Sequence, residues 1–216
     1  MVGYCCPQWG VVFFGGSGWF EFVFLVVFVC SFSVFFFLGG VYVHEAGHFV
    51  SAFLFNPSGI QEFCVDPFGS GCVTPGNATV MGLVKYVDIA RNYSFLQVAV
   101  IAGAGIFVEF LLCLLLMAVT FALRNKIRSR AVLFGVVVGG VLPVVTDLLV
   151  FGGSSVDPSG ITTDFENMAA ALEVVSGGRG FALAFGFAAF LGVLLFIAVD
   201  KWYAAVVAER SRQLTL

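Results

Sequence analysis

The stretch of residues 20–55, FEFVFLVVFVCSFSVFFFLGGVYVHEAGHFVSAFLF, decides the fold class because it is almost entirely apolar. A single helix over this stretch would be about 54 Å long at a rise of ~1.5 Å per residue. That length exceeds the hydrocarbon core of a bilayer, which is about 30 Å thick. The helix must therefore tilt, project or break, and the glycine pair Gly39-Gly40 is the expected position of a kink.

The composition of the whole chain extends this interpretation. Of the 216 residues, 60% are hydrophobic and only 11% are charged, whereas charged residues make up about a quarter of an ordinary soluble domain. The 27 Phe and 26 Gly combine bulky with small side chains, which suits helices packed against each other in lipid. These numbers exclude a soluble globular protein, a disordered tail and a nucleic-acid binder. We expect one domain, residues 1–216, integral to a membrane.

Further apolar runs give the rest of the architecture. Three more spans are predicted, Phe95–Leu123, Ala131–Phe151 and Phe181–Val199, with a short helix at Thr163–Val175 before the last span. The predicted fold is an all-α polytopic membrane protein with about four to six transmembrane helices.

Residues 56–94 differ in texture from these spans. They are rich in Pro, Gly, Asn and Asp, and they contain β-like pieces at Ile60–Val65 and Cys72–Thr74. This pattern predicts a short β-hairpin-like excursion at the membrane surface. Cys64 and Cys72 flank its Gly-rich turn and are expected to form a disulfide if the loop faces an oxidising space.

The distribution of Lys and Arg assigns sides to the membrane. The connector 124–130 and the C-terminal tail together carry seven Lys/Arg, against three on the opposite side. The positive-inside rule then places the connector and tail in the cytoplasm, and loops 56–94 and 152–180 outside. The cell membrane is the expected location.

The motif HEAGH, residues 44–48, carries the chemistry. His44 and His48 are the only two histidines in the chain, and on a helix their i, i+4 spacing puts both imidazoles on one face. Glu45 then lies beside a shared metal ion, where it can take a proton from a water molecule. This is the HExxH arrangement of zinc hydrolases. A pair of packing histidines is the weaker interpretation, because ionisable residues in membrane segments are costly and usually functional.

A third protein ligand for zinc must be a carboxylate, since no other histidine exists. Four acidic residues are candidates: Asp147, Asp164, Glu109 and Glu21. Asp147 and Asp164 return to the side of the membrane on which His44 and His48 lie, whereas Glu109 sits near mid-membrane and Glu21 at a helix start. Asp164 also suits a helix N-terminus, with Thr163 and Glu166 forming a capping box.

These motifs resemble the site-2 protease family of intramembrane zinc metalloproteases, in particular its small branch without a PDZ domain. The resemblance spans roughly residues 22–172. It rests on an apolar helix ending in HEAGHFVSAF, the excursion FGSGCVTPG, the span start AGAGIFVEF and a downstream aspartate. It implies a zinc endopeptidase that cleaves membrane-embedded or membrane-proximal proteins or peptides, with the lipid bilayer as its surroundings.

The resemblance also ranks the third ligand. In the small branch the aspartate belongs to a Ser-Asp-x-x-x-Leu-Ala pattern, which residues 163–169 (TDFENMA) resemble. The Asn-x-x-Pro…Asp-Gly motif of the larger family matches VLPVVTDLL only in its proline and Asp147. The resemblance therefore implies zinc held by His44, His48 and Asp164, with Asp147 as the alternative, and Glu45 as the general base.

Two other functions remain open. The first is an inactive or non-catalytic membrane binding or transport protein that retains a zinc site. The second is a membrane protease of the kind that trims prenylated proteins, which would take Glu166 or Glu173 as third ligand. The site-2 protease family usually opens its active site to the cytosol, whereas the charge distribution here places the motif outside.

Overall fold

The computed structural model describes residues 18–66, 72–73, 79–80, 82–127, 129–153 and 164–213. Within them the chain is an all-α polytopic membrane protein, as predicted. The described part contains four helices that are long and apolar enough to cross a membrane: Gly18–Phe55, Phe95–Leu123, Arg130–Leu149 and Gly180–Val206.

The first membrane span consists of three helical segments. Helix α1 (Gly18–Val34) continues into a π-helical segment (Phe35–Val43), and α2 (His44–Phe55) follows without a break. The predicted kink position, Gly39-Gly40, falls inside the π-helical segment. The irregularity is therefore a change of helix type, and π-helical turns occur frequently at functional sites.

The surface excursion contains two small antiparallel two-stranded sheets, in agreement with the predicted β-hairpin-like excursion. After a 3₁₀ turn (Pro57–Gly59), strand β1 (Ile60–Val65) pairs with β4 (Gly82–Tyr86), and β2 (Cys72–Val73) pairs with β3 (Thr79–Val80). A disulfide joins Cys64 to Cys72 and so ties β1 to β2. The predicted pairing of these two cysteines is present, while Thr74 lies outside the described residues.

Four longer helices follow a short helix, α3 (Ile89–Asn92). They are α4 (Phe95–Leu123), α5 (Arg130–Gly153), α6 (Asp164–Ser176) and α7 (Gly180–Gln213). Ser94 and Gln97 form a reciprocal capping box at the start of α4, which fixes where this helix begins. The predicted cap at Thr163 lies outside the described residues.

Helix α4 is the centre of the bundle, and α2, α5, α6 and α7 all pack against it. Its buried residues include Phe110, Cys113 and Met117, which join one core with side chains of α5, α6 and α7. Large apolar side chains such as Phe196, which is 73% exposed, cover the outside of the bundle. In a bilayer these side chains meet lipid, so their exposure costs nothing.

Candidate metal centre

The two histidines of the motif lie side by side on α2, with ring centroids 4.8 Å apart. Close backbone packing fixes their position against α4. A Cβ atom at Gly47 would lie 2.7 Å from the Ala104 carbonyl oxygen, and one at Gly105 would lie 2.6 Å from His48 Nε2. The small residues at 47 and 105 therefore let α2 and the imidazole rings approach the backbone of α4 directly.

Asp164 meets both histidines from a helix far along the chain. Its Oδ2 atom lies 2.8 Å from His44 Nε2 and 3.0 Å from His48 Nε2. Asp164 is the first residue of α6. The side chains of Phe165, Met168 and Ala171 on that helix are buried in the core, so packing of α6 against α4 and α7 holds the carboxylate over the histidines.

One hydrogen bond of His48 determines which of its ring nitrogens is left to bind a cation. His48 Nδ1 lies 2.6 Å from the carbonyl oxygen of Ile101. A carbonyl oxygen only accepts, so Nδ1 carries a proton, and whenever the ring is neutral its Nε2 lone pair is free to bind a cation next to Asp164. His44 is arranged alike, because its Nδ1 faces the Glu109 carboxylate at 3.5 Å. Two imidazole nitrogens and a carboxylate oxygen that converge in this way can share one cation.

The carboxyl of Asp164 is kept in its charged form. Burial alone would raise its pKa, but the charge of His48 and hydrogen bonds with both histidines lower the pKa well below its usual range. Asp164 therefore offers a carboxylate oxygen, and not a hydroxyl, to whatever cation the histidines share.

The residues present fit a zinc ion. His44, His48 and Asp164 each offer one ligand atom, and these three atoms lie within 4.8 Å of one another. Two imidazole nitrogens and one carboxylate oxygen form a typical donor set of catalytic zinc sites. Ligand atoms around tetrahedral zinc lie about 3.3 Å apart, given bonds of ~2.0–2.1 Å. The observed separations would need to open by only a few tenths of an ångström.

Glu45 lies between the histidines and the surface sheet. A Cβ atom at Gly82 on β4 would lie 2.6 Å from Glu45 Oε1, so the carboxylate packs on the bare backbone of this strand. Tyr86 of the same strand is nearby. Burial raises its pKa, and the carboxylates of Asp164 and Glu45 raise it further. The phenol thus stays protonated and can donate a hydrogen bond.

The alternative ligand, Asp147, lies on the other side of His44. His44, Glu109 and Asp147 form a second group of ligand atoms within 4.8 Å of one another. Asp147 therefore lies with Glu109 near Nδ1 of His44. It does not belong to the group formed by His44, His48 and Asp164. Glu109 lies closer to the motif than its mid-span position suggested.

The remaining acidic candidates lie outside both groups among the described residues. Glu21 is in the first turn of α1 and is exposed. Glu173 accepts a hydrogen bond from the backbone N–H of Gly180, which explains it as a structural residue at the start of α7. Glu166 is half-buried on α6. Neither group therefore contains the glutamates that a prenyl-protein protease would use.

Several parts of the site carry no sequence signal of their own. The Ile101 carbonyl that orients His48 is a backbone atom, and Gly82 and Gly105 are two of the chain's 26 glycines. The nearest signal was the stretch AGAGIFVEF, which contains Gly105 and Glu109 and resembles a stretch of the site-2 protease family.

Comparisons with known proteins leave the family unassigned. No protein-family model matches the chain, and no curated protein or solved structure matches it. The likeness of HEAGH and of residues 163–169 to site-2 protease motifs therefore stays an expectation.

Proposed function

We propose that this protein is an intramembrane zinc metalloendopeptidase that hydrolyses peptide bonds of membrane-embedded or membrane-proximal substrates. One observation carries the proposal: His44 Nε2, His48 Nε2 and Asp164 Oδ2 converge inside a helical membrane protein, and Glu45 lies on the same helix as the histidines. The resemblance of these residues to the site-2 protease motifs supports the same activity.

Residues of the chain can supply the metal ligands, the general base and a hydrogen-bond donor for this reaction. His44, His48 and Asp164 would hold a zinc ion, which when bound would polarise a peptide carbonyl and lower the pKa of a water molecule. The Glu45 carboxylate takes a proton from the attacking water as the oxygen–carbon bond forms. As the carbon–nitrogen bond breaks, Glu45 gives this proton to the leaving amine. Tyr86 is a nearby hydrogen-bond donor that the growing negative charge on the carbonyl oxygen can use.

The surroundings of the motif favour a peptide substrate that enters from the lipid. An apolar cavity of about 1030 Å³ lies between α2 and α4 and is lined by Ala46 and Gly47 of the motif and by Gly103 and Ala104 of α4. A helical substrate must unwind before hydrolysis, because its peptide bonds are shielded by their own hydrogen bonds. The β1–β4 sheet next to Glu45 offers strand edges on which an extended segment can pair.

The membrane location is proposed to be the cell membrane, with the metal centre on its outer side. The disulfide between Cys64 and Cys72 lies on the same side as the motif, and disulfides persist in oxidising compartments. The basic connector at the opposite end supports this orientation. Exposed Ser58 and Ser129 mark the two sides. In sealed cells a membrane-impermeant maleimide should label S58C and spare S129C; the reverse pattern would reject the orientation.

The activity is tested with purified full-length protein in liposomes that contain a library of apolar transmembrane peptides. New peptide termini are read by mass spectrometry, with and without a zinc chelator. Glu45→Gln should lower cleavage by about 100-fold or more, since general bases contribute about 10²–10⁴-fold, while the zinc content stays at that of the unchanged protein. Cleavage that survives Glu45→Gln would refute the mechanism.

Two results together would favour the non-catalytic binding or transport function. The zinc-loaded protein would cut no peptide of the library in liposomes, and cells that lack the protein would accumulate no uncut membrane protein. Zinc content separates this outcome from loss of the site. His44→Ala should abolish zinc binding under either function, because His44 is one of the two imidazole ligands.

A further inference from the structure

A second carboxylate environment lies on the side of His44 that faces away from Asp164. Glu109 Oε2 is 3.5 Å from His44 Nδ1. Glu109 is only 3% exposed, and neither of its carboxylate oxygens has a hydrogen bond of ordinary length within the described part of the chain. A buried carboxylate without a hydrogen bond is costly in such surroundings, so the structure must gain something from keeping it there.

The surroundings of Glu109 leave few partners for this carboxylate. The cavity beside it has a volume of about 10 Å³ and is lined mainly by Phe35, Leu112, Pro143 and Val144 together with glycines. That volume is near the lower limit for a single water molecule. The polar groups within reach are His44 and Asp147, whose ligand atoms lie within 4.8 Å of the Glu109 carboxylate.

The tautomer of His44 determines which group donates in the contact between His44 Nδ1 and Glu109. When Nε2 offers its lone pair toward Asp164 and the shared cation, the remaining proton of the imidazole sits on Nδ1. Nδ1–H then points toward the Glu109 carboxylate and can donate to it. The separation of 3.5 Å is longer than the usual 2.7–3.2 Å, so a shift of about 0.5 Å makes the hydrogen bond.

His48 shows what a matching arrangement looks like. Its Nδ1–H donates to the Ile101 carbonyl at 2.6 Å. Both imidazoles thus have a partner for Nδ1, but that of His48 is a neutral carbonyl and that of His44 a carboxylate. An acidic partner makes the ring a stronger electron donor toward a metal, and such partners usually fix ring orientation as well.

We propose that Glu109 is a positioning residue for the metal centre, which holds His44 through Nδ1–H, and that Asp147, as a protonated carboxyl, holds Glu109 by donating a hydrogen bond to its carboxylate. The proposal rests on the proposed function in one respect, namely that His44 binds zinc through Nε2. Asp147 lies on α5 and Glu109 on α4, so this pair also links two membrane helices to the motif on α2.

Zinc affinity is the first test. It is measured on purified, detergent-solubilised full-length protein by competition with a chromophoric chelator. Glu109→Ala should weaken zinc binding by about 10–100-fold, the usual effect of removing such a partner. Glu109→Gln keeps the shape but not the charge and should give a smaller loss. Cys113→Ala is the matched control for packing, because this side chain is also buried on α4 and lines the same small cavity; the zinc affinity of this variant should stay within about threefold of the unchanged protein.

Asp147 is tested in combination with Glu109. Asp147→Asn alone should weaken zinc binding by less than Glu109→Ala does. In the Glu109→Gln background it should add little, because residues that act through one another are not additive. Equal and additive losses from the two changes would overturn the role assigned to Asp147.

A spectroscopic readout separates positioning from mere packing. The chain has two histidines, so ¹⁵N-histidine labelling gives one pair of ring signals for each. In the zinc-loaded protein Glu109→Gln should move the Nδ1–H signal of His44 and leave that of His48 in place. Unchanged affinity together with an unmoved His44 signal would overturn the proposal.

The same data distinguish this proposal from the proposed function. Tight zinc binding that depends on Glu109, without any cleavage, would reject the peptidase and keep the positioning role. Cleavage and zinc binding that do not change in the Glu109 variants would support the peptidase and reject the positioning role. A second equivalent of zinc that Glu109→Gln removes would make Glu109 a ligand and so overturn the positioning role.

Discussion

The two nitrogens of His44 lie in different surroundings, although both face carboxylates. On the Nε2 side, the Asp164 side chain is 34% exposed and meets both histidines at hydrogen-bond distance. On the Nδ1 side, Glu109 is 3% exposed, and Asp147 is its acidic neighbour. One imidazole thus connects a partly open group next to the surface sheet with a closed group at membrane depth.

The difference shows why acidic residues alone do not identify a metal ligand. Both groups contain His44 and a carboxylate, and both are compact enough to hold an ion. Only the Nε2 side contains a second imidazole, and only there do the Nε2 atoms of two rings meet one oxygen. The Nδ1 side lacks this convergence, so we assign to it the orientation of His44.

The largest effect is expected when the charge of each aspartate is removed in turn, because the two sides of His44 should respond differently. Asp164→Asn should lower zinc affinity by more than the roughly 10–100-fold that residues outside the ligand set contribute. Asp147→Asn should stay below that range. Zinc content after dialysis against a chelator measures both variants. Loss of zinc in Asp147→Asn but not in Asp164→Asn would reverse the assignment of the third ligand.

The next effect comes from crowding the Nε2 side. In Gly105→Ala the new Cβ would lie 2.6 Å from His48 Nε2 and 2.7 Å from His44 Nε2, so both rings must move. We expect zinc affinity to fall by about 10-fold or more, as for other disturbances of ligand orientation. Gly103→Ala on the same helix is the control, since its nearest new contact is Met168 Sδ at 3.4 Å. Equal affinities for the two variants would contradict the geometry.

A smaller and different effect is expected at Gly82, where the three atoms nearest to an added Cβ all belong to the proposed base. Gly82→Ala should push the Glu45 side chain aside. Cleavage of membrane peptides should then fall by about 10-fold, because general bases need close placement, while zinc content stays constant. Gly186→Ala, with no atom within 4 Å of the new Cβ, should leave both unchanged. Zinc loss in Gly82→Ala would mean that the strand supports the ligands instead.

The smallest effect is expected from crowding the Nδ1 side. A Cβ at Gly40 would lie 3.6 Å from Glu109 Oε1 and 3.9 Å from Asp147 Oδ2, which is ordinary van der Waals contact. Gly40→Ala should therefore change zinc affinity by less than about threefold, well below the effect of removing the carboxylate. The chelator competition used for Gly105→Ala measures it. A loss as large as that of Gly105→Ala would show that both sides of His44 are equally constrained.

Much of this architecture could be predicted from sequence, because apolar length is a strong signal in membrane proteins. The span Phe95–Leu123 agrees at both ends with α4, since Ser94 and Gln97 mark its start and Arg124 follows its end. Helix α7 instead continues from Gly180 to Gln213, beyond the predicted Val199. Hydropathy locates the part within the bilayer and not the end of the helix, which goes on through Asp200 and Lys201.

The site was predictable where local spacing determines it. The pairing of His44 with His48 follows from the i, i+4 rule, whereas Asp164 is 120 residues from His44. Its rank above Asp147 came from the resemblance of residues 163–169 to a family motif. Sequence spacing did not predict that Glu109 and Asp147 meet each other and His44, because that contact depends on how α4 and α5 pack. The π-helical segment was anticipated only as a kink at a glycine pair.

The π-helical segment Phe35–Val43 sets the rotational phase of the motif. An α-helix turns about 100° per residue, so a wider turn before His44 rotates everything after it relative to α1. If these nine residues wound as a regular α-helix, each would add extra rotation and α2 would turn about its axis relative to α1. His44 and His48 would then face away from Asp164, while every ligand remained in the chain. The angular position of the two histidines is thus encoded in a stretch of apolar residues that contains no ligand at all.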